Sequence, residues 1–513
     1  MFVRRKKNKS GSTSVTIIAK ENGRYKLVRT IGCSYDPHEI EKFYRQGKEW
    51  IRQQSGMSDM FSDTDGRERE LAETERFISN IKNILVNGDR LVLNRIFDRI
   101  GFDSIDDEIF RTLVVSRLLC PSSKAATVEY LKNHFDEDVD LSKIYRYLDR
   151  LNSTQQDKVQ DISVAHTTGL LGGSIGVVFY DVTTLYFEAD REDDLRKTGF
   201  SKEGRHRNPQ IILGLLVSLN GYPLAYCIHE GNKYEGHTMI PVIEEFVHKY
   251  GLEDFVIVAD SGLMNEQNIA DLELKGYKYI IGARIRTESR QVREWMLSLP
   301  KADGMMAEYD RGGCRRLLVG YTDSRAKKDR YNREKGVRRL EKAFKSGKLN
   351  KESINRRGYN KFLELKNSVD ISINYEKISE DSAWDGLKGY MTNTDLPTYK
   401  VYEAYHNLWT VELAFRIAKS KIEVRPMFHF TRKRIEAHIC ICFVALKVYK
   451  ELDRILKLNG IKLSVDKVLR MAKTVTTIQI KMPLNNKLLT KTMIMKRHKP
   501  IEKLFDEKFW VSQ

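Results

Sequence analysis

The sequence predicts an α/β protein whose core is preceded by a helical segment and interrupted by an insertion of mixed β and α character. Three observations carry this. From residue 175 the apolar pattern takes a period of two and then alternates strands with amphipathic helices. Between about 90 and 152 the pattern is that of short amphipathic helices. Between 286 and 395 a strongly basic stretch separates two parts of the apolar core pattern.

A chain of 513 residues exceeds the size at which one hydrophobic core usually stops growing, so more than one domain is expected. The formal charge of +18 points to a polyanionic partner, most simply nucleic acid. Six cysteines scattered over this length do not read as a disulfide framework. Cys440 and Cys442 cluster with His438 inside HICICFVALKVY. Zinc needs ligands that converge from more than one turn, so these three read as packing within a buried helix. The basic N-terminus MFVRRKKNKSGS leads into no apolar run, and no stretch of 18 or more apolar residues suggests a membrane span. A cytoplasmic, nucleoid-associated protein is expected.

Taken in order, residues 14–31 alternate around Glu21-Asn22-Gly23, a hairpin signal, and a polar helical arm follows, so 1–60 is expected as a β-hairpin and arm. Residues 61–155 are the candidate DNA-binding domain. LVLNRIFDRIG, DEIFRTLVVSRLLC, SKAATVEYLKNHF and LSKIYRYLDRLN form its helices, and an ordinary helical bundle is the alternative. Ser122 or Ser123 would cap the third of these. Residues 170–285 hold the first part of the core. IGVVFYDVTTLYFE is a strand ending near Asp181, and QIILGLLVSLN and YPLAYCIHEG form a hairpin at Asn220-Gly221. HTMIPVIEEFVHKYG is a helix closed by Gly251, and DFVIVADSG is a strand ending in Asp260. A helix, NEQNIADLELKG, and a strand, YKYIIGARI, follow.

The insertion, 286–395, includes the basic helical run RAKKDRYNREKGVRRLEKAFKSGK, a candidate phosphate contact. Its Trp295 and Trp384 read as core or as platforms for an unpaired base. Residues 396–455 return to the core with one helix, LPTYKVYEAYHNLWTVELAFRIAKSKIEV, and a long apolar helix, TRKRIEAHICICFVALKVYKELDRIL. Residues 456–513 form a basic C-terminal segment.

Three strands joined by short turns and followed by strand–helix–strand units match the ribonuclease H-like fold. There the first and fourth strands are neighbours, so Asp181 and Asp260 would stand side by side. Glu412, flanked by Trp409, Val411, Leu413 and Phe415, reads as a partly buried acid that needs a cationic partner. Three carboxylates suit two hard divalent cations, the arrangement used for phosphodiester cleavage. Glu188, Asp190, Asp193 and Asp194 lie beyond the strand and read as solvent-facing.

The chain resembles the IS4-type superfamily of DDE transposases, within it the IS1634-like group. YDVTTLYFE with GFSKEGRHRNPQIILGLLVSLNGYPL and EGNKYEGHT carries the resemblance, together with VIVADSGLMNEQNIADL and the spacing Y-x2-R-x3-E-x6-K around the last acid. It covers about residues 170–445 and implies Asp181, Asp260 and Glu412 as the catalytic and metal-binding triad. It also implies a cofactor pair of Mg²⁺ or Mn²⁺ ions and a β-rich insertion between the last two acids, which stand 152 positions apart. The partners it implies are transposon terminal inverted repeats, target DNA and a second copy of the chain. The reaction would be DNA cleavage and strand transfer by a cut-and-paste route, with a hairpin intermediate. Tyr405 and Lys419 fit the signature and would contact DNA, whereas Leu408 stands where the family has arginine. Arg416, one turn beyond Glu412, is the candidate substitute, and Lys202, Arg205 and Arg207 form a further DNA-contact loop after the first acid. The alternatives are a ribonuclease H-like nuclease without strand transfer and a decayed or domesticated copy that only binds DNA.

Overall fold

The computed structural model describes every residue except 22, 56–61, 152, 190, 201–206, 235, 237, 263, 264, 350–352, 356, 357, 367–369, 426, 483, 484, 512 and 513. The chain forms two compact units, Met1–Ile84 with Ile478–Lys491, and Leu85–Thr477 with Thr492–Gln513. This division departs from the expected boundaries. Residues 61–84 stay with the N-terminal arm, part of the C-terminal segment joins them, and the helices after residue 85 share a unit with the α/β core.

In the first unit, Phe2–Lys7, Thr13–Glu21 and Arg24–Ser34 form an antiparallel sheet with Thr13–Glu21 in the middle. The expected hairpin joins the last two strands, and Gly23 takes φ 79°, the left-handed backbone such a turn needs. Val15, Ile17 and Ile18 are the buried residues of the middle strand, and helix Pro37–Ser55 packs on this sheet.

In the second unit, an eight-stranded sheet runs in the order Met306–Asp310, Arg316–Tyr321, Leu387–Thr392, Lys278–Ala283, Val256–Ala259, Val177–Tyr186, Gln210–Ser218, Pro223–Glu230. The last three are antiparallel, and the Asn220-Gly221 turn holds Gly221 at φ 78°. Val256–Ala259 pairs in parallel with Val177–Tyr186, and Lys278–Ala283 in parallel with Val256–Ala259. Helices Met239–Tyr250 and Glu266–Leu274 precede these two strands, giving the expected order of elements in a mixed α/β fold. Met239–Tyr250 ends, as expected, on Gly251 in the left-handed conformation.

The expected insertion takes part in this sheet. Leu387–Thr392 pairs antiparallel with Lys278–Ala283, so three strands of the 286–395 segment extend the core sheet. The pairing satisfies backbone groups that an edge strand would leave open. It joins residues more than a hundred positions apart, which no local pattern announces.

Strand Gln210–Ser218 is buried at every position, and its two faces serve different cores. Ile211, Leu213, Leu215 and Val217 belong to the core that the Trp409–Ser420 and Arg432–Leu458 helices share, while Ile212 and Leu216 belong to that of the Met239–Tyr250 helix. Helices Gly88–Ile100, Glu108–Leu119, Leu141–Arg150 and Ser153–Leu170 also pack on Arg432–Leu458. Their Leu93, Ile96, Phe97, Phe110 and Leu148 are essentially inaccessible. At about 1.5–3 kcal/mol per fully buried apolar side chain, this contact binds the helical segment into the unit. The same long helix buries Lys447 and Glu451. Lys447 donates to the Ser163 carbonyl at 2.9 Å and to Thr167, and Glu451 accepts from the Tyr222 hydroxyl at 2.6 Å and from Arg454. Both are therefore satisfied polar groups of the interior.

Of the two expected caps, Ser123 performs the role: its hydroxyl accepts from the Ala126 amide at 3.2 Å. The single helix expected over Leu396–Val424 is instead two, Thr398–His406 and Trp409–Ser420. Between them the backbone tightens into i→i+3 bonds, Leu408 N–H to Tyr405, Thr410 N–H to Asn407 and Val411 N–H to Leu408. Among the described residues no helix is long and apolar enough to cross a membrane.

Candidate active site

Asp181 does not end its strand. Val177–Tyr186 continues paired with Gln210–Ser218 as far as Tyr186 opposite Gln210. What stops is the parallel neighbour, whose last residue, Ala259, lies opposite Tyr180. Asp181 and Asp260 are therefore the next residues on two adjacent strands, just where the parallel pair opens. By alternation Asp181 shares the face of Phe179 and Leu185, and Asp260 that of Val258. These belong to the core on which the Trp409–Ser420 helix packs. Asp181 accepts from the Val182 amide at 2.8 Å.

Glu412 is exposed, not partly buried as its neighbours suggested. Val411, Ala414, Phe415 and Ala418 turn inward at helical spacing, which leaves Glu412, Arg416 and Trp409 on the solvent side. Its carboxylate therefore needs no partner to offset burial. It lines a cavity of about 710 Å³ with Asp260, Tyr405, Trp409, Lys388 and Arg325.

Tyr405 is 4% exposed, and its hydroxyl donates to Asp260 Oδ1 at 3.0 Å. Burial, then the adjacent Asp260 carboxylate, pushes its phenol well above the usual range, so it remains a donor. A Cβ on Gly282 would lie 2.6 Å from the Tyr405 hydroxyl, so the absence of a side chain there admits the bond. The break between the two helices places Tyr405 and Glu412 on separate helices that line one cavity.

Lys388 and Arg325 are the residues that sequence reasoning missed. Lys388 stands on Leu387–Thr392 with its ammonium 4.4 Å from the Tyr405 ring centre. Burial, then Arg325, lowers its pKa, while Asp260 and Glu412 pull it back up, so both acids lie within its electrostatic reach. Arg325 and Lys328 come from the start of the basic Asp323–Lys345 helix. That run was singled out for phosphate contact, but nothing in it indicates which of its cations face the acids. A neighbouring cavity of about 810 Å³ shares Asp260, Arg325, Lys388 and Tyr405 and reaches Trp384. Trp295 instead packs against Tyr309, with ring centres 5.0 Å apart.

Of the remaining candidates, Arg416 is exposed and Lys419 half-buried, both on Trp409–Ser420. Leu408 is buried at the helix junction. Arg207 is exposed, whereas Lys202 and Arg205 lie outside the described residues. Asp193 is a local turn partner: it accepts from the Leu195 and Arg196 amides and pairs with the Arg196 guanidinium at 2.7 Å. Asp194 pairs with Arg432 at 3.3 Å, and Asp190 is outside the described residues. Cys440 and Cys442 are buried in the Arg432–Leu458 helix, as packing requires.

Carboxylate oxygens are the donors that Mg²⁺ and Mn²⁺ select. Asp181 and Asp260, in register on adjacent strands, and Glu412, on the cavity of Asp260, make a donor set of the right chemistry. Among the described residues no three His, Cys, Asp or Glu side chains converge closely enough to hold an ion in this conformation.

No curated protein matches the chain. Among solved structures it is similar to the piggyBac transposase synaptic complex with hairpin DNA, at 10% identity over 76% of this chain and 70% of that one, with a TM-score of 0.35. The family model described as "Transposase DDE domain" matches residues 172–447, a span that takes in both strand-register aspartates, Lys388 and the Tyr405–Glu412 junction. That match covers more than half of the sequence, and the chain accordingly belongs to the transposases of the DDE-domain family.

Proposed function

We propose that the chain is an insertion-sequence transposase of the IS4-type, IS1634-like group, built on a ribonuclease H-like core, that cuts transposon ends and joins them to target DNA. The observation that carries this reading is the cavity in which Asp260 and Glu412 meet Lys388 and Arg325, with Asp181 beside Asp260 in the strand register. Acids alone would repel a phosphodiester. Acids interleaved with cations, Lys388 half-buried and Arg325 exposed, suit one that must be held near divalent metal.

In this reading Asp181, Asp260 and Glu412 hold the metal ions, which when bound supply electrophilic activation at the scissile phosphorus. Tyr405 orients Asp260 through its hydroxyl. Lys388, Arg325 and Lys328 neutralise the phosphate oxygens. Lys419, Arg416 and Arg207 track the backbone outside the cavity, and Lys202 and Arg205 are further candidates for backbone contact. Hydrolysis breaks the P–O3′ bond at the transposon end, with water supplying the new oxygen on phosphorus. The freed 3′-hydroxyl then displaces a 3′-oxygen of the target strand in a transesterification. A homodimer would bring two ends together, and the chain would act where its DNA is.

The test is a strand-transfer assay with Mg²⁺ on a plasmid carrying the cognate inverted repeats. Joined product supports the transposase. Cleavage without joining supports a nuclease, and binding without cleavage supports a DNA-binding copy. Normal cleavage by Asp260→Asn or Glu412→Gln would remove the proposed triad.

A further inference from the structure

A third cavity, of about 220 Å³, lies apart from the acids, and none of Asp181, Asp260 or Glu412 lines it. It sits where helices Glu108–Leu119 and Lys124–Phe135 meet the segment after Ser420 and the Arg432–Leu458 helix. Arg117, Ser122, Ser123, Lys124, His429 and His438 face it. Three of these basic groups are buried: Arg117 is 7% exposed, Lys124 4% and His438 4%.

Their polar partners are neutral. Arg117 donates to the carbonyls of Ser122, at 2.8 Å, and of Glu423, and its Nε has no partner. His438 Nε2 meets the Val424 carbonyl at 3.3 Å while Nδ1 has none. The His429 ring lies 5.3 Å from that of His438. Glu423, the acid on the cavity wall, is exposed, and what it gives Arg117 is its backbone carbonyl. The cost of gathering these basic groups shows in the titration of Lys124 and His429. Burial and then Arg117 bring Lys124 down to about 8, and burial, then Lys124 and Arg117, bring His429 down to about 4. Buried charge without a counter-charge is costly and buried charges are ordinarily paired, so an anion would complete this cluster. The cavity, at about 220 Å³, has room for a tetrahedral oxyanion with part of its hydration shell.

We propose that this cavity is a phosphate-binding site, distinct from the carboxylate site, in which Lys124 and Arg117 supply charge and Ser122 and Ser123 supply hydroxyl donors at the start of the Lys124–Phe135 helix. The occupant is a phosphate group, either free or as a phosphodiester of DNA. The site does not depend on the catalytic reading above, and its test does not measure cleavage.

Inorganic phosphate is titrated calorimetrically into the full chain at constant ionic strength in chloride. Saturable binding at one site per chain is expected. Lys124→Met, which keeps the stem and removes the charge, should weaken it at least about tenfold, the loss expected for one charge-assisted contact. Lys132→Met, on the exposed side of the same helix, should leave it unchanged. The proposal is overturned if the unaltered chain shows no saturable phosphate binding, a result that needs no variant to fold, or if Lys124→Met binds as the unaltered chain does. A duplex DNA titration then separates the sources. Competition by phosphate, with lower DNA affinity in Lys124→Met, assigns a DNA phosphodiester, and DNA affinity insensitive to both assigns free phosphate.

Discussion

Removing one oxygen from Tyr405 tests the geometry of the acid site most directly. In Tyr405→Phe the ring keeps its packing beside Tyr390, 4.8 Å between centres, and under Lys388. What disappears is the 3.0 Å bond to Asp260 Oδ1. A hydrogen bond to a charged group contributes about 1.5–3 kcal/mol where both partners are dry. Asp260 is exposed and water replaces the phenol, so folding should change by less than about 1 kcal/mol. The loss falls on orientation. A partner that holds a ligating carboxylate typically contributes about 10–100-fold in metal affinity or activity. The expected outcome is end cleavage reduced by about 10–100-fold, a higher Mg²⁺ concentration for half-maximal rate, and an almost unchanged melting curve. Cleavage at the unaltered rate and Mg²⁺ dependence would refute the role given to Tyr405. A large fall in melting temperature would show that the hydroxyl serves the fold instead.

Gly282→Ala should mimic that variant from the other side, since its Cβ would press on the Tyr405 hydroxyl at 2.6 Å. Cleavage should fall together with a stability loss of about 1–3 kcal/mol, and an unaffected rate would show that the strand yields instead. Lys388→Met should weaken binding of transposon-end DNA and lower the slope of log affinity against log salt by about one contact. An unchanged slope, measured by fluorescence anisotropy over a salt series, would remove Lys388 from the phosphate contacts. Burial opposes ionisation of Glu451, but bonds from Arg454, His166 and Tyr222 prevail and hold it down to about 2. Its folded pKa lies below the unfolded value of about 4.3. Its contribution is therefore present above that value and lost as pH falls towards 2. Glu451→Gln should cost about 2–3 kcal/mol at neutral pH, less than a fully buried broken pair because Arg454 keeps 25% of its side-chain surface. It should also flatten the acid limb of stability measured by denaturant unfolding, and an identical acid limb would contradict the assignment.

Elements whose cause is local were legible. The turns at Gly23 and Gly221, the cap at Ser123 and the close at Gly251 depend on backbone conformations that a few residues dictate. The order of strands and helices from 177 to 283 follows from the switch between periods of two and 3.6. Local reasoning failed at positions decided by a distant partner. Asp181 looked like a strand end because an acid follows an apolar run. It is instead an internal residue whose parallel neighbour stops. Glu412 looked half-buried because apolar residues flank it in sequence, yet the helix turns those neighbours to the other side.

The sequence by itself determined most of the secondary elements and the basic character, and it singled out the candidate acids, because side-chain periodicity and residue chemistry are properties of short windows. Tertiary structure alone decided three things. The 286–395 segment completes the sheet of the core, Lys388 and Arg325 arrive beside Asp260 and Glu412, and Tyr405 is pinned between Gly282 and Asp260. Each is a contact between residues far apart in the chain. Its energy comes from strand pairing and burial that exist only once the whole sheet has formed.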